Sequence, residues 1–195
     1  DIVKLEFNRR DLHTIETKDL WKIHEDIPQI VVDHDNVTYS TPSELDRDKK
    51  SFKDQRVLFL ARDPRDVIIS WYFHAIHRGA IRNFKEIVKA ESPRDFLYNE
   101  RGGLKTIIEF YNIWAENAET PLAFNIVRYE DLRKEAKKYL REVVDFCGFG
   151  HIISEDTIIK AIDNNTFEKV KQKETEGNID HAAFGDTNIK DQESF

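Results

Sequence analysis

Arg62 and Ser70 are the pair in this sequence whose types and spacing suit anion chemistry. They lie in "RVLFLARDPRDVIISWYFH", residues 56–74, where an apolar run stops at Arg62, Pro64 follows and an apolar, helix-like segment carries Ser70. Asp63 suits an N-cap and Pro64 the first helical turn, where its missing N–H costs nothing. This places Arg62 at the carboxyl end of a strand. Ser70 lies seven residues past Asp63, on nearly the same helix face at about 100° per residue. In open α/β sheets, ligands bind outside the carboxyl ends of the strands, and helix N-termini there offer unpaired N–H groups to anions. Arg62 and Ser70 can thus grip one phosphate together. The same spacing equally allows Arg62 to pair with Asp63 or Asp66, and Ser70 to bond back to a helix carbonyl.

The elements that must hold these residues follow from the hydrophobic pattern. "QIVVD", 29–33, and "RVLFLA", 56–61, are short apolar runs of the kind buried on both faces of a parallel sheet, and "LAFNIVRY", 122–129, is a third. Between the first two lies a polar stretch that predicts a loop and a surface helix over about 43–52. Helical patterns occupy about 17–24, 64–77, 82–91 and 104–119. A last amphipathic helix begins at Glu130 and stops at Gly148, and the chain turns polar and irregular from about residue 175. Strands alternating with helices predict an α/β fold, and 195 residues without an internal repeat predict a single domain.

Composition sets further bounds. The net charge of −7, with 37 acidic against 30 basic side chains and no long block of either sign, argues against a nucleic-acid binder. No apolar run reaches membrane-spanning length and no secretory signal opens the chain, so the expected compartment is cytoplasmic. Cys147 is the one cysteine and is expected to be a buried structural thiol. His74 and His77 stand three apart on a helix, but no third ligand accompanies them and no metal is expected. "RGGLKT", 101–106, has Gly, Lys and Thr without the spacing of a phosphate loop. The chain has no Met and opens on "DIVKLEF", which reads as an excised or incompletely represented segment, or one whose methionines stand as a modified residue.

The run "RDPRDVIISWYFH" resembles the arginine-to-serine segment of sulfotransferases that use 3′-phosphoadenosine 5′-phosphosulfate (PAPS). Other segments of the chain follow that family's order. "IVVDHD" resembles the strand that ends in the catalytic histidine, "VRYEDLRKE" the Tyr-Glu-Asp-Leu segment, "NNTFEKVKQKE" the Ser/Thr-Phe segment and "FGDTNIKDQESF" the Gly-Asp-Trp-Lys-Asn stretch. The resemblance covers roughly residues 29–195. It implies a three-layer fold of the P-loop nucleotide-hydrolase kind, with a central parallel β-sheet flanked by helices. It further implies His34 as catalytic base, Arg62 and Ser70 on the 3′-phosphate, and Tyr129, Thr166 and Phe167 around the adenine. PAPS would be the co-substrate and a small-molecule hydroxyl or amine the acceptor.

The departures are as specific as the matches. The family's phosphosulfate-gripping loop, a pattern like Pro-Lys-Ser-Gly-Thr-Thr-Trp, has no counterpart here, and it and its strand are expected before Asp1. The fold is therefore expected to be incomplete in this chain. Where the family has an Arg-Lys-Gly triplet this chain has Asp180, His181 and Ala182, and Val32 stands where a lysine often precedes the histidine. The C-terminal dimerisation segment of many animal members is also absent. A non-catalytic nucleotide-binding or interaction module of the same fold is the alternative these gaps support, and a nucleotide kinase is disfavoured by the lack of a phosphate loop.

Overall fold

The structure is a computed structural model and describes residues 34, 35, 37, 40–77 and 90–175. Its described part is α/β, a parallel sheet flanked by helices. Strand β1 (Arg56–Ala61) leads through Arg62 and Asp63 into helix α1 (Pro64–His77); the short helix α2 (Pro93–Leu97) and helix α3 (Leu104–Glu116) follow. Strand β2 (Ala123–Arg128) then runs directly into α4 (Tyr129–Lys134), and the chain continues as α5 (Ala136–Phe146), α6 (Glu155–Asn164) and α7 (Phe167–Thr175). Strands β1 and β2 pair in parallel, from Arg56 opposite Ala123 to Ala61 opposite Arg128. Both therefore end at the same level, and the residues that follow them emerge side by side.

Helix α1 starts where its sequence dictates. Pro64 is its first residue, the Asp63 carboxylate accepts from the Arg65 N–H at 2.9 Å, and the Asp63 carbonyl takes the N–H groups of Asp66 and Val67. Ile68 and Tyr72 on α1 meet Phe96 of α2 and Ile107 of α3 in the buried core, with Val67, Trp71 and Leu104 packed around them. The Tyr72 hydroxyl, at the edge of that core, donates to the Glu91 carbonyl. Helix α3 covers one face of the sheet with aromatics. Phe59 lies 5.6 Å from Phe110 and 5.4 Å edge-on to Tyr111, and Phe124 stacks on Trp114 at 5.9 Å.

Expected burial of β1 on both faces holds only in part. Helices α4 and α5 lie against β2 and Val127 is buried, whereas its register partner Leu60 is 59% exposed. The surface helix expected over 43–52 is absent. Only a 3₁₀ turn at Lys50–Phe52 forms, because the carboxylates of Asp46 and Asp48 accept from the backbone N–H groups of Asp48 and Lys50 and draw the chain into turns. The long helix expected after β2 is two helices, broken at Glu135, where φ −134° and ψ 55° leave the helical region. Its predicted stop is in place: Gly148 adopts φ +87°, and the Phe149 N–H reaches back to the Val144 carbonyl. The expected helix at 17–24, the strand at 29–33, nearly all of the helix at 82–91 and the irregular tail after 175 lie outside the described residues.

Candidate functional site

The carboxyl ends of β1 and β2 bring Arg62 and Tyr129 together. The Arg62 guanidinium lies over the Tyr129 ring, 4.6 Å from its centroid, and Arg133 approaches the same ring at 6.0 Å. Arg62 is also 3.8 Å from Asp66, one turn along α1, so the ion pair that the spacing allowed is present in a loose form. Its Nε is nonetheless buried without a hydrogen-bond partner. A buried guanidinium N–H left unmatched is a vacant donor for an anion.

Two residues that the sequence reading passed over shape this corner. The Tyr111 hydroxyl, on α3, donates to the Arg62 carbonyl at 2.8 Å and accepts from the Arg62 N–H at 3.2 Å, fixing both peptide groups of the residue. Burial pushes the Tyr111 phenol above its ordinary range, so at neutral pH the proton it donates is retained. The Glu130 carboxylate accepts from the Asp63 N–H at 2.8 Å, which ties the start of α4 to the start of α1 and holds the Glu130 carboxyl below its usual range. Asp63 is gripped by the Arg65 fork, with Nε at 3.0 Å and Nη2 at 2.5 Å, and its carboxyl is held down at about 2. The Tyr111–Arg62 and Glu130–Asp63 contacts join residues far apart in sequence. The available signals were the aromatic run in α3 and the acidic first turn after β2.

Ser70 lies on α1, two turns beyond Asp63, and its side chain is exposed. His34 is exposed too; its carbonyl accepts from the Val37 N–H at 3.0 Å, closing a turn. Asp35, inside that turn, has φ +46°. Thr166 caps α7, its hydroxyl accepting from the Lys169 N–H at 3.4 Å, and the neighbouring Phe167 is 54% exposed. The contacts found for Thr166 are thus local ones at the start of α7. Asp180, His181 and Ala182 lie outside the described residues, as does Val32.

"RGGLKT" is a structural joint. Gly102, at φ +69°, donates its N–H to the Ser40 carbonyl, Gly103 caps α3, and the fully buried Thr106 hydroxyl also reaches Ser40. Arg101 clamps Glu44 with two bonds of 2.8 and 2.7 Å, so segment 40–44 is held to the head of α3. Cys147 is half-buried, and burial raises its thiol pKa, which suits a structural thiol. Among the described residues no helix is long and apolar enough to cross a membrane.

With this geometry in view, the comparisons with known proteins are specific. The family model described as "Sulfotransferase domain" matches residues 1–193. Sulfotransferase 2A6 of Mus musculus is 26% identical over 123 residues, which are 60% of this chain and 39% of that protein. Sulfotransferase 1E1 of Bos taurus is 23% identical over 122 residues, 61% of this chain and 38% of that protein. The chain thus aligns with about two fifths of the length of these curated relatives. The match over nearly the whole chain, on a parallel α/β framework with an arginine at the end of its first described strand, makes this chain a member of the sulfotransferase domain family.

Proposed function

We propose that this chain carries the nucleotide-binding and proton-accepting side of a sulfotransferase that moves a sulfuryl group from PAPS to a hydroxyl or amine of a small-molecule acceptor. The observation that carries the reading is the Arg62 guanidinium. It is braced on Tyr129 and anchored through its backbone by Tyr111, with a buried Nε facing no partner. A cation prepared in this way at the carboxyl edge of a parallel sheet, beside the N-terminus of a 14-residue helix, suits a phosphate dianion. Arg62 and Ser70 are assigned to the 3′-phosphate, and Tyr129, Thr166 and Phe167 to the adenine side.

The donor supplies an activated sulfuryl group and leaves as adenosine 3′,5′-bisphosphate when the sulfur–oxygen bond to its 5′-phosphate breaks and the acceptor's bond to sulfur forms. The residues of this chain hold the nucleotide and receive the acceptor's proton. Sulfuryl transfer is a loose in-line displacement like phosphoryl transfer, so positioning and charge stabilisation dominate its catalysis. His34 takes the acceptor's proton on an imidazole nitrogen as the acceptor oxygen or nitrogen attacks, histidine being the side chain most often used as a general base. Such base assistance is worth about 10²–10⁴ in rate. A cytoplasmic location and a small-molecule acceptor belong to the same proposal.

Calorimetry with adenosine 3′,5′-bisphosphate and with 5′-AMP tests the phosphate assignment in the full-length protein. The bisphosphate is expected to bind at least tenfold tighter, and Arg62→Ala to abolish that preference. Equal affinities for the two nucleotides would remove the role given to Arg62 and Ser70. Turnover separates the enzyme from a binding module, since His34→Ala is expected to stop transfer while leaving nucleotide affinity intact.

A further inference from the structure

A lysine buried to 1% exposure is uncommon in a protein interior, and Lys49 is one. Its Nζ lies 2.7 Å from the Asp35 carboxylate and sits over the Trp114 ring at 5.2 Å. The same carboxylate oxygen, Oδ2, accepts from Trp114 Nε1–H at 2.9 Å. Lys49 precedes the 3₁₀ turn, and Trp114 belongs to the last turn of α3. Phe52, within the 3₁₀ turn, packs edge-on to the same indole at 5.1 Å. Two elements therefore converge on one carboxylate.

Asp35 is the residue directly after His34. It is also the only described non-glycine residue with positive φ, +46°, and it sits inside the turn closed by the Val37 N–H on the His34 carbonyl. Aspartate tolerates positive φ better than most side chains but still at a cost from its Cβ, so an outside hold helps it persist there. The grip of Lys49 and Trp114 on its carboxylate supplies one. From this juxtaposition we propose that Lys49 is a positioning residue, which, with Trp114, locks Asp35 and so fixes the direction in which the His34 imidazole leaves the turn.

This rests on His34 being the proton acceptor proposed above. The interaction explains a feature that the reaction itself does not use, a buried cation that cannot reach solvent and is matched to a residue adjacent in sequence to the base. An imidazole misdirected by about 1 Å loses on the order of 10²-fold in rate without any change in its chemistry.

The test is Lys49→Met in the full-length protein, with His34→Ala beside it. Three quantities are read: steady-state turnover, affinity for adenosine 3′,5′-bisphosphate, and the NMR signal of the His34 ring, assigned by its loss in His34→Ala. Lys49→Met is expected to lower kcat by about 10- to 100-fold. Acceptor KM and bisphosphate affinity are expected to stay within about twofold, while the His34 ring signal shifts or splits. If Lys49→Met does not fold, Asp35→Asn with Lys49→Met removes both charges at nearly constant volume and is expected to give the same three results. Unchanged kcat, an unmoved ring signal, or an equal fall in kcat and nucleotide affinity overturns the inference. Failure of the parent reading is distinct, because His34→Ala then retains turnover and there is no base left to position.

Discussion

Arg62 and Tyr129, 67 positions apart in the chain, stack with the guanidinium 4.6 Å from the ring centroid because each follows the last residue, or nearly so, of one of two paired parallel strands. The ring braces the guanidinium at this distance. Cation–π contacts contribute roughly 0.5–2 kcal/mol, depending on desolvation. Tyr129→Ala is therefore expected to weaken adenosine 3′,5′-bisphosphate binding by about 2- to 30-fold. Tyr129→Phe should stay near wild type by calorimetry, since the ring is kept. Arg62→Lys should lose most of the bisphosphate preference, because a lysine has neither the fork nor the flat face. A Tyr129→Ala protein that binds normally would show that the stack is incidental.

Tyr111 holds the Arg62 backbone from α3 through a hydroxyl that both donates and accepts. Tyr111→Phe removes this oxygen and leaves a partly buried N–H and carbonyl to find other partners. The expected loss is about 1–3 kcal/mol in urea unfolding, with an unchanged m value. Nucleotide affinity should fall along with stability, because the residue being released is the proposed phosphate ligand. A loss of stability with full retention of affinity would confine Tyr111 to a structural part.

Acid should loosen this corner in a defined window. The Arg65 fork holds Asp63 at about 2, against an ordinary 3.8. A carboxylate depressed in the folded state stabilises fully above its unfolded value, and its contribution is lost as pH falls through the folded one. Asp63 therefore adds stability above about pH 4 and loses it progressively between about 4 and 2. Glu130, also lowered, acts in the same direction. Thermal melts across this range should flatten in Asp63→Asn relative to wild type, and curves of the same slope would exclude the Arg65 contact as the cause.

Gly103 is needed at the head of α3 for space. A Cβ there would be driven into the Asn99 carbonyl oxygen, which is backbone and cannot swing aside. Gly103→Ala should cost about 1–3 kcal/mol by over-packing. At Gly102 the added carbon would meet Trp71 at 3.0 Å and φ is +69°, so Gly102→Ala adds conformational strain to crowding. Both should lower the thermal midpoint, and a substitution that leaves it unchanged would mean that the 99–103 turn relaxes freely.

Local order was legible in the residues themselves. Asp63 and Pro64 mark the start of α1, Gly148 ends α5 in the left-handed conformation, and the β-branched and aromatic runs at 56–61 and 122–129 became the paired strands. The order of short motifs was sufficient to indicate the family. Each of these signals acts within a few residues, through caps, proline geometry and side-chain period, and such forces are written in the local sequence. Other features depended on neighbours that no local pattern names. Asp46 and Asp48 turned an expected helix into turns by bonding backbone N–H groups two residues on. Tyr111 reached Arg62, Glu130 reached Asp63, and Lys49 was drawn from a polar run into the interior against Asp35 and Trp114. A charge in a polar stretch reads as solvated until the fold places an opposite charge beside it, and strand register and helix packing decide whether it does. The sequence by itself determined where the two paired strands end, where α1 begins and which residue types are chemically suited to an anion. Only the tertiary structure decided which of these face one another, because that depends on long-range pairing and shared burial that local propensity does not encode.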